Sequence, residues 1–355
     1  MKRIKRWAIA TFILCFLVIL AGGIVRTTQS GMGCPDFPTC FGSAIPPTNL
    51  SQIVFEPNTI YKKGQYMVYN DSLWSAVQKF TSNNDFARTD WKKDNRYGKV
   101  NLKTYQTWIE FVNRLLGALL GLFAIIQVLL LFKKRKVEVN AFNLAVAFLI
   151  VVILTGLFGA VVVKLNLAHL SISIHLLFAL VLTQIQLALF LTVAKQIFRK
   201  TSGTKVRRIL ILLAIVVFIQ SVLGTAVRMF IDDISKSLDY TERETWLTNL
   251  NLPIVFIIHR SFSWFTLAAT IYAMWACRKV MVLKLYFQRL LLIILSSVTT
   301  GVVLFYLDFP RVAQPIHLLL ASLAITQIVF MILHTKNTTD LVKDDKKSFK
   351  TKENS

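Results

Sequence analysis

Eight apolar stretches alternate with polar segments along the 355 residues of the chain. The hydrocarbon core of a bilayer is about 30 Å thick, so a helix needs about 20 apolar residues to cross it. The stretches lie at about 7–25, 107–132, 141–163, 171–194, 207–229, 253–276, 285–305 and 312–334. This pattern predicts an all-α integral membrane protein with eight transmembrane helices.

The first apolar stretch could also be the hydrophobic region of a signal peptide. No small-residue cleavage site follows it, and Arg26-Thr27-Thr28-Gln29 comes next. We therefore predict that this stretch is retained as the first transmembrane helix.

Basic residues mark the segments on one side of the predicted membrane protein. The N-terminus, the connections 133–136, 195–208 and 278–289, and the tail 336–355 are all rich in Lys and Arg. With eight helices these segments share one side, and short basic loops face the cytoplasm. Both termini are therefore predicted to be cytoplasmic.

Composition agrees with a membrane protein and excludes several other classes. Hydrophobic residues make up 55% of the chain and charged residues 17%, whereas soluble domains have about 45–50% apolar and about 25% charged residues. These values exclude a disordered chain, a coiled coil and a soluble enzyme, and four cysteines are too few for a disulfide scaffold. Because the basic clusters that give the net charge of +23 follow the topology, we expect contact with anionic lipid and not with nucleic acid.

The two halves of the chain repeat each other. Four motifs of the first half recur in the same order in the second half, so spans one to four correspond to spans five to eight. The pairs are Gly22–Arg26 with Gly224–Arg228, Val112–Arg114 with Ile258–Arg260, Thr155-Gly156 with Thr300-Gly301, and Ile174–Ala179 with Ile316–Ala321. Both halves start from the same side, so the repeat predicts two tandem, pseudo-symmetric four-helix bundles.

The repeat also predicts the domain organisation. Residues 1–200 form an N-terminal bundle with a long outer loop at 26–106, residues 201–335 form a C-terminal bundle, and residues 336–355 form a basic cytoplasmic tail. The third outer loop is predicted at about 228–252; it holds Asp232, Asp233, Glu242 and Glu244.

Three histidines, His175, His259 and His317, lie inside apolar spans at a similar distance from the outer end. That distance is roughly 8–9 Å at 1.5 Å per residue, and a polar ring there is unfavourable unless it has a partner. Hydrogen bonds between helices could satisfy single rings. Three rings at repeat-related positions instead indicate metal ligands, and imidazoles on facing helices suit iron in a flat macrocycle. Zinc is not indicated, because further ligands at zinc spacing are lacking.

The histidines are distributed unequally between the halves. His259 and His317 form a candidate axial pair in the C-terminal bundle, whereas the N-terminal bundle offers His175 opposite Asn113. A site with two histidines is closed to chemistry, while a site with one histidine keeps an open face.

Charged residues near the outer ends of the spans are further candidates. Glu110 precedes Asn113 by one helical turn and shares its face, so we expect a catalytic carboxylate; a structural pairing with a nearby base is the alternative. Four arginines, Arg26, Arg114, Arg228 and Arg260, have the planar donors that bind carboxylates such as haem propionates. Their alternative is contact with lipid headgroups.

Two cysteines, Cys34 and Cys40, flank a short segment of the first outer loop. Thiols outside the cytoplasm can oxidise, and the spacing differs from that of redox C-x-x-C motifs. A disulfide is therefore predicted, and its role, structural or redox, stays open.

With these residues the chain resembles the haem A synthase family. The matching segments are Gly23–Pro35 with Cys40-Phe41-Gly42, Glu110–Arg114, Gly159–Val162, His175, Leu223–Arg228, His259–Trp264 and Gln314–Leu318. The resemblance extends from about residue 7 to 334 and includes the internal repeat.

The resemblance implies a membrane oxidoreductase of haem biosynthesis. Such an enzyme oxidises the C8 methyl of haem O to a formyl group and so supplies haem A to terminal oxidases. His259 and His317, with Arg228 and Arg260, would hold haem b in the C-terminal bundle. His175, Asn113, Arg26 and Arg114 would form the substrate-haem site, with Glu110 as the essential acid. Many members have a histidine where this chain has Asn113.

The resemblance also implies a setting. The protein would lie in the bacterial cytoplasmic (inner) membrane and receive haem O from a haem O synthase. The resemblance does not indicate the electron acceptor or whether the protein forms homo-oligomers. The alternatives are a non-catalytic b-type haem protein, either a quinol-linked electron carrier or a haem carrier, and a transporter. Broken helices typical of transporters are not indicated.

Overall fold

The computed structural model describes residues 1–96, 102–165, 167–195, 204–237 and 253–334, with residues 169 and 235–237 described by their backbone alone. The tail 336–355 and the acidic residues Glu242 and Glu244 lie outside the described residues. The eight long helices are α1 (Lys2–Thr27), α2 (Thr104–Phe132), α3 (Val139–Lys164), α4 (His169–Ala194), α5 (Thr204–Ser237), α6 (Ile254–Ala276), α7 (Met281–Tyr306) and α8 (Ala313–His334).

All eight predicted spans are present as helices that are long and apolar enough to cross a membrane. The prediction of a predominantly helical, multi-pass protein is therefore confirmed. The largest difference between a predicted span and its helix is at the end of α5, which continues to Ser237. The outer loop predicted from residue 228 is wrong in its first residues, because Asp232 and Asp233 lie on the last turns of this helix.

Local sequence explains where several helices begin and end. Pro253 precedes α6 with φ −63°, and its fixed φ suits the entry to a helix. Pro315 lies in the first turn of α8, where the backbone N–H that proline lacks has no partner within the helix. At the other end of α4, Lys195 takes a left-handed conformation with φ 49°, which stops the helix.

Within each half the helices pack as a closed set of four. Helix α1 contacts α2 and α4, and α3 contacts the same two helices; α5 contacts α6 and α8, and α7 does likewise. Between the halves, the most extensive packing is that of α1 against α8. The halves are thus in contact along α1, which belongs to the first half of the chain.

The long loop between α1 and α2 contains short β-strands that the sequence analysis does not predict. β2 (Tyr66–Tyr69), β3 (Ser72–Ala76) and β5 (Trp91–Lys93) form an antiparallel sheet, and β1 (Ile60–Tyr61) pairs with β4 (Phe80–Thr81). One side of the sheet packs on the segment that contains Cys34 and Cys40. The other side is covered by an aromatic cluster; it includes Phe55, Tyr61, Trp74, Phe86 and Trp91.

A chain of buried polar side chains crosses the interior of the N-terminal half. The Gln127 amide donates to Thr11 Oγ1 at 2.8 Å, and the Gln186 amide donates to Gln127 Oε1 at 3.0 Å. The three side chains are almost completely buried. The positions that correspond to them in the repeat hold Leu213, Ala273 and Ile328, all in the apolar core of the C-terminal half. The two halves therefore share a helical arrangement but differ in the polarity of these interior positions.

Candidate functional site

Two imidazoles face each other across a cavity in the C-terminal half. His259 on α6 and His317 on α8 have ring centroids 6.4 Å apart, with an angle of 78° between the ring planes. Both rings line a cavity of about 410 Å³. Two imidazoles that bind one metal from opposite sides have ring centres about 6 Å apart, because each metal–nitrogen bond is about 2 Å long and each ring centre lies about 1 Å beyond its nitrogen. The distance and the donor type therefore fit a haem iron.

Small residues and a hydroxyl group hold these two rings in place. A Cβ atom added to Gly224 would lie 3.1 Å from Cε1 of His259, and one added to Gly301 would lie 3.5 Å from Cε1 of His317. Thr300 Oγ1 is hydrogen-bonded to Nδ1 of His317 at 2.9 Å, whereas Nδ1 of His259 is buried without a partner among the described residues. Such an outer hydrogen bond fixes the orientation of a metal-binding imidazole.

Three arginines line the cavity that contains His259 and His317. They are Arg26, Arg228 and Arg260. The guanidinium group of Arg260 lies 5.0 Å from the ring centroid of Phe305, and Arg228 is hydrogen-bonded to Gln314. Cationic groups at the edge of an apolar cavity suit the carboxylates of a haem. The sequence analysis assigned Arg26 to the site of His175. In the structure Arg26 lines the cavity of His259 and His317, because α1 packs against α8.

The N-terminal half presents a single imidazole at the corresponding place. The ring of His175 stacks on Phe158 with centroids 6.4 Å apart and an angle of 15°, and a Cβ atom on Gly159 would lie 3.4 Å from its Cε1. Nδ1 of His175 and Oδ1 of Asn113 are buried and have no hydrogen-bond partner among the described residues. Unpaired buried polar atoms are unfavourable, so these two groups are available to a ligand.

Glu110 and Arg114 form a buried ion pair on α2. Glu110 is only 4% exposed, and its Oε2 accepts a hydrogen bond from the backbone N–H of Cys34 at 3.0 Å. Arg114 also donates to the carbonyl oxygens of Asp36 at 2.7 Å and Thr39 at 2.9 Å. The two residues thus hold the loop that precedes the sheet, a role that the sequence analysis considered only as the alternative for Glu110.

The predicted disulfide between Cys34 and Cys40 is present. The two cysteines are 0% and 1% exposed, and Leu73 of the sheet packs in the same cluster at 1% exposure. Arg96 donates to the carbonyl of Pro35 at 2.8 Å and pairs with Asp94. Partial burial would raise the pKa of Asp94, but the hydrogen bonds and charge of Arg96 outweigh burial and lower this pKa below its ordinary value.

Three residues that contribute to these sites were not assigned a role from the sequence. Asp36 accepts hydrogen bonds from the N–H groups of Phe41 at 2.7 Å and Gly42 at 2.9 Å, and it lies between Cys34 and Cys40 in the sequence. Thr300 belongs to the repeated motif Thr155-Gly156 with Thr300-Gly301, and this repetition indicates a role for it. Asp232 bonds Arg26, and the sequence pattern placed it in a loop.

Comparison with known proteins gives a consistent set of matches. Residues 5–329 match the COX15-CtaA family, described as cytochrome oxidase assembly proteins. The chain is 25% identical over 352 residues to the heme A synthase of Ehrlichia ruminantium (strain Gardel), a match that covers 94% of this chain and 93% of that protein. It is also similar to the heme A synthases of Bartonella bacilliformis and Flavobacterium johnsoniae, at 25% and 24% identity over 158 and 187 residues. These two matches cover 44% and 51% of this chain but only 37% and 48% of those relatives.

Proposed function

The chain belongs to the COX15-CtaA family of cytochrome oxidase assembly proteins, and on that premise we propose that it is a haem A synthase of the bacterial inner membrane. In this proposal the enzyme oxidises the C8 methyl of haem O to a formyl group and supplies haem A for cytochrome oxidase. The observation that carries the proposal is the facing pair His259 and His317 in a chain whose residues 5–329 match this family.

The proposed architecture consists of two tandem four-helix bundles with both termini in the cytoplasm. Residues 1–200 form the bundle that receives the substrate, residues 201–335 form the bundle that holds the cofactor, and residues 336–355 form the tail. The internal repeat, the basic connections and the packing of the helices within each half support this division. The histidine sites would then lie in the outer half of the membrane.

We assign a haem b cofactor to the C-terminal half. His259 and His317 would bind its iron, and Arg228 and Arg260 would bind its carboxylates. A bound haem b supplies a centre that accepts and donates one electron at a time. Thr300 orients His317 through the hydrogen bond to Nδ1. Gly224 and Gly301 have no side chains, which leaves space for the two rings.

The substrate haem O is assigned to the N-terminal half. His175 would bind the iron of haem O on one side, and Asn113 occupies the position that corresponds to His259 on the other side. A Cβ atom on Gly22, the counterpart of Gly224, would have no described atom within 4 Å, whereas one on Gly224 would contact His259. Arg114 would contribute positive charge near the outer end of α2, and Glu110 would accept the protons released when the methyl group is oxidised.

A direct test measures the product. The full-length protein is co-expressed with a haem O synthase, and haems are extracted and separated by chromatography. Haem A is expected with the wild-type chain and not with His175→Ala, which should retain its C-terminal haem b. If folded wild-type protein accumulates haem b and haem O but no haem A, it is a non-catalytic haem protein and the proposal is wrong.

A further inference from the structure

Helices α1 and α8 approach each other very closely at Gly23 and Pro315. A Cβ atom added to Gly23 would lie 2.9 Å from Cβ of Pro315 and 3.1 Å from its Cα, so only glycine allows this contact. Pro315 lies two residues before His317, and Arg26 follows Gly23 by about one helical turn. The contact therefore brings the outer end of α1 to the cavity of the other half, where Gly23, Arg26 and Thr27 form part of the wall.

One carboxylate joins the two halves at this wall. Asp232 on α5 accepts hydrogen bonds from Nε and Nη2 of Arg26 at 3.0 and 2.7 Å, and its second oxygen lies 2.7 Å from Nη2 of Arg228. Arg26 and Arg228 occupy corresponding positions of the internal repeat. Their side chains are 20% and 21% exposed and that of Asp232 is 16% exposed, so these charges are largely shielded from water.

The donors of Arg26 suit an anion. Arg26 and Arg228 both pair with Asp232 beside a cavity with predominantly apolar walls. Arg26 uses Nε and Nη2 for Asp232, and its remaining donor Nη1 can serve a second acceptor. An arginine fork favours carboxylate and phosphate oxygens.

From these contacts we infer that Arg26, a residue of the N-terminal half, binds a carboxylate of the haem held by His259 and His317, and that Asp232 positions it there. This inference rests on the proposed haem b site. Arg26 is then a binding residue of the C-terminal cofactor and not of the substrate haem. Asp232 is a positioning residue, since it acts through the orientation of the guanidinium group.

The inference has an electrostatic consequence. Reduction of a haem removes one positive charge from the iron, so nearby negative charge lowers the reduction potential and nearby positive charge raises it. Arg26→Gln should therefore lower the reduction potential of the C-terminal haem, and Asp232→Asn should raise it. Asp233→Asn is the matched control, because Asp233 is adjacent in the chain but exposed.

The first experiment is a spectroscopic redox titration of the purified full-length haem protein with these three variants. Opposite shifts for Arg26→Gln and Asp232→Asn, with no shift for Asp233→Asn, are expected. Equal potentials for wild type and Arg26→Gln would overturn the inference. Arg26→Lys keeps the charge without the fork, and it provides a second variant if Arg26→Gln does not fold.

A second experiment identifies the group that Arg26 binds. Transfer of haem from the protein to an excess of apomyoglobin is expected to be about ten-fold faster for Arg26→Gln, since a hydrogen bond to a charged group is lost. When the haem is replaced by its dimethyl ester, which lacks free carboxylates, wild type and variant should release it at equal rates. An equal effect of the variant on both haems would contradict carboxylate binding. An effect seen only in nanodiscs with anionic lipid, and not in neutral detergent, would show that Arg26 binds a lipid headgroup instead.

These outcomes are separable from failure of the proposed function. If His259→Ala and His317→Ala both leave the low-spin haem spectrum unchanged, the cofactor assignment itself is wrong. If those variants lose the spectrum while Arg26→Gln keeps the wild-type potential and release rate, only the role of Arg26 is wrong.

Discussion

The carboxylate of Glu110 accepts a hydrogen bond from the backbone N–H of Cys34 at 3.0 Å, and this contact ties helix α2 to the disulfide-containing loop. Arg114, one turn further along α2, pairs with the same carboxylate and holds two carbonyl groups of that loop. The candidate catalytic carboxylate is therefore also part of the structure that joins the disulfide-containing loop to α2. Experiments on Glu110 have to separate these two roles.

Replacement of Glu110 by Gln is expected to lower haem A formation per folded molecule by about 10²–10⁴-fold, the usual contribution of general acid–base catalysis. The amide oxygen of the introduced side chain can still accept the N–H of Cys34, so the protein should fold and retain haem b. Haem A is measured by chromatography and normalised to haem b. Arg114→Gln breaks the same ion pair but leaves the carboxylate. Because Arg114 is itself assigned to the substrate site, this variant should lose some haem A formation, but less than Glu110→Gln. Equal losses in both variants, or normal turnover in Glu110→Gln, would contradict a catalytic carboxylate.

Replacement of His259 or His317 by Ala is expected to abolish the low-spin haem b spectrum, since each ring is a proposed axial ligand.

A finer test uses Thr300→Val, which removes the hydroxyl that bonds Nδ1 of His317. Loss of such an outer hydrogen bond should weaken haem binding by about ten-fold or more. Thr155→Val is the matched variant of the first half, where the hydroxyl bonds the carbonyl of Val151 at 2.6 Å; it should leave haem b binding unchanged.

The disulfide between Cys34 and Cys40 is expected to resist reduction in the folded protein. Thiolates attack disulfides only where they can reach a sulfur atom, and these two cysteines are 0% and 1% exposed. Alkylation and mass spectrometry after treatment with dithiothreitol should detect no free thiol at either position until the protein is denatured. Leu73→Ala, which removes part of the cover, should accelerate the reaction. Rapid reduction of the wild-type protein would instead indicate a redox-active pair.

The buried polar chain of Thr11, Gln127 and Gln186 gives a test of stability. Gln127→Ala removes one hydrogen bond of Thr11 and one of Gln186, while Thr11 still donates to Trp7 O and Gln186 to Ala8 O. The free energy of unfolding should therefore fall by about 1–3 kcal/mol. Replacing all three residues by their counterparts from the second half, Leu, Ala and Ile, removes the three polar side chains together and should be nearly neutral. Thermal unfolding in detergent measures both variants. A triple variant less stable than Gln127→Ala would show that the three polar side chains contribute more to stability than their hydrogen bonds to one another.

Replacement of Asn113 by His is expected to give the substrate site a second axial ligand. The repeat places residue 113 at the position that His259 has in the second half, so a histidine there is expected opposite His175. The haem O spectrum should become low-spin, and cyanide should no longer bind to that iron. Persistent cyanide binding would show that residue 113 does not face the iron.

The positions of the helices followed from the sequence because one physical requirement dominates them. Each span has to supply about 20 apolar residues, and all eight are found as helices. The end of α5 could not be predicted in the same way, because Asp232 and Asp233 interrupt the apolar pattern. In the structure Asp232 is compensated by Arg26 and Arg228, so the helix continues past the acidic residues.

His259 and His317 face each other in the structure, and their similar depth in two apolar spans predicts this placement. That they bind one iron stays a prediction. Contacts between the halves were not predictable, because periodicity carries no information about which helix of one half meets which helix of the other. The close contact of Gly23 with Pro315 depends on the complementary shapes of two distant segments. That contact, which only the tertiary structure decided, places Arg26 in the cavity of the other half.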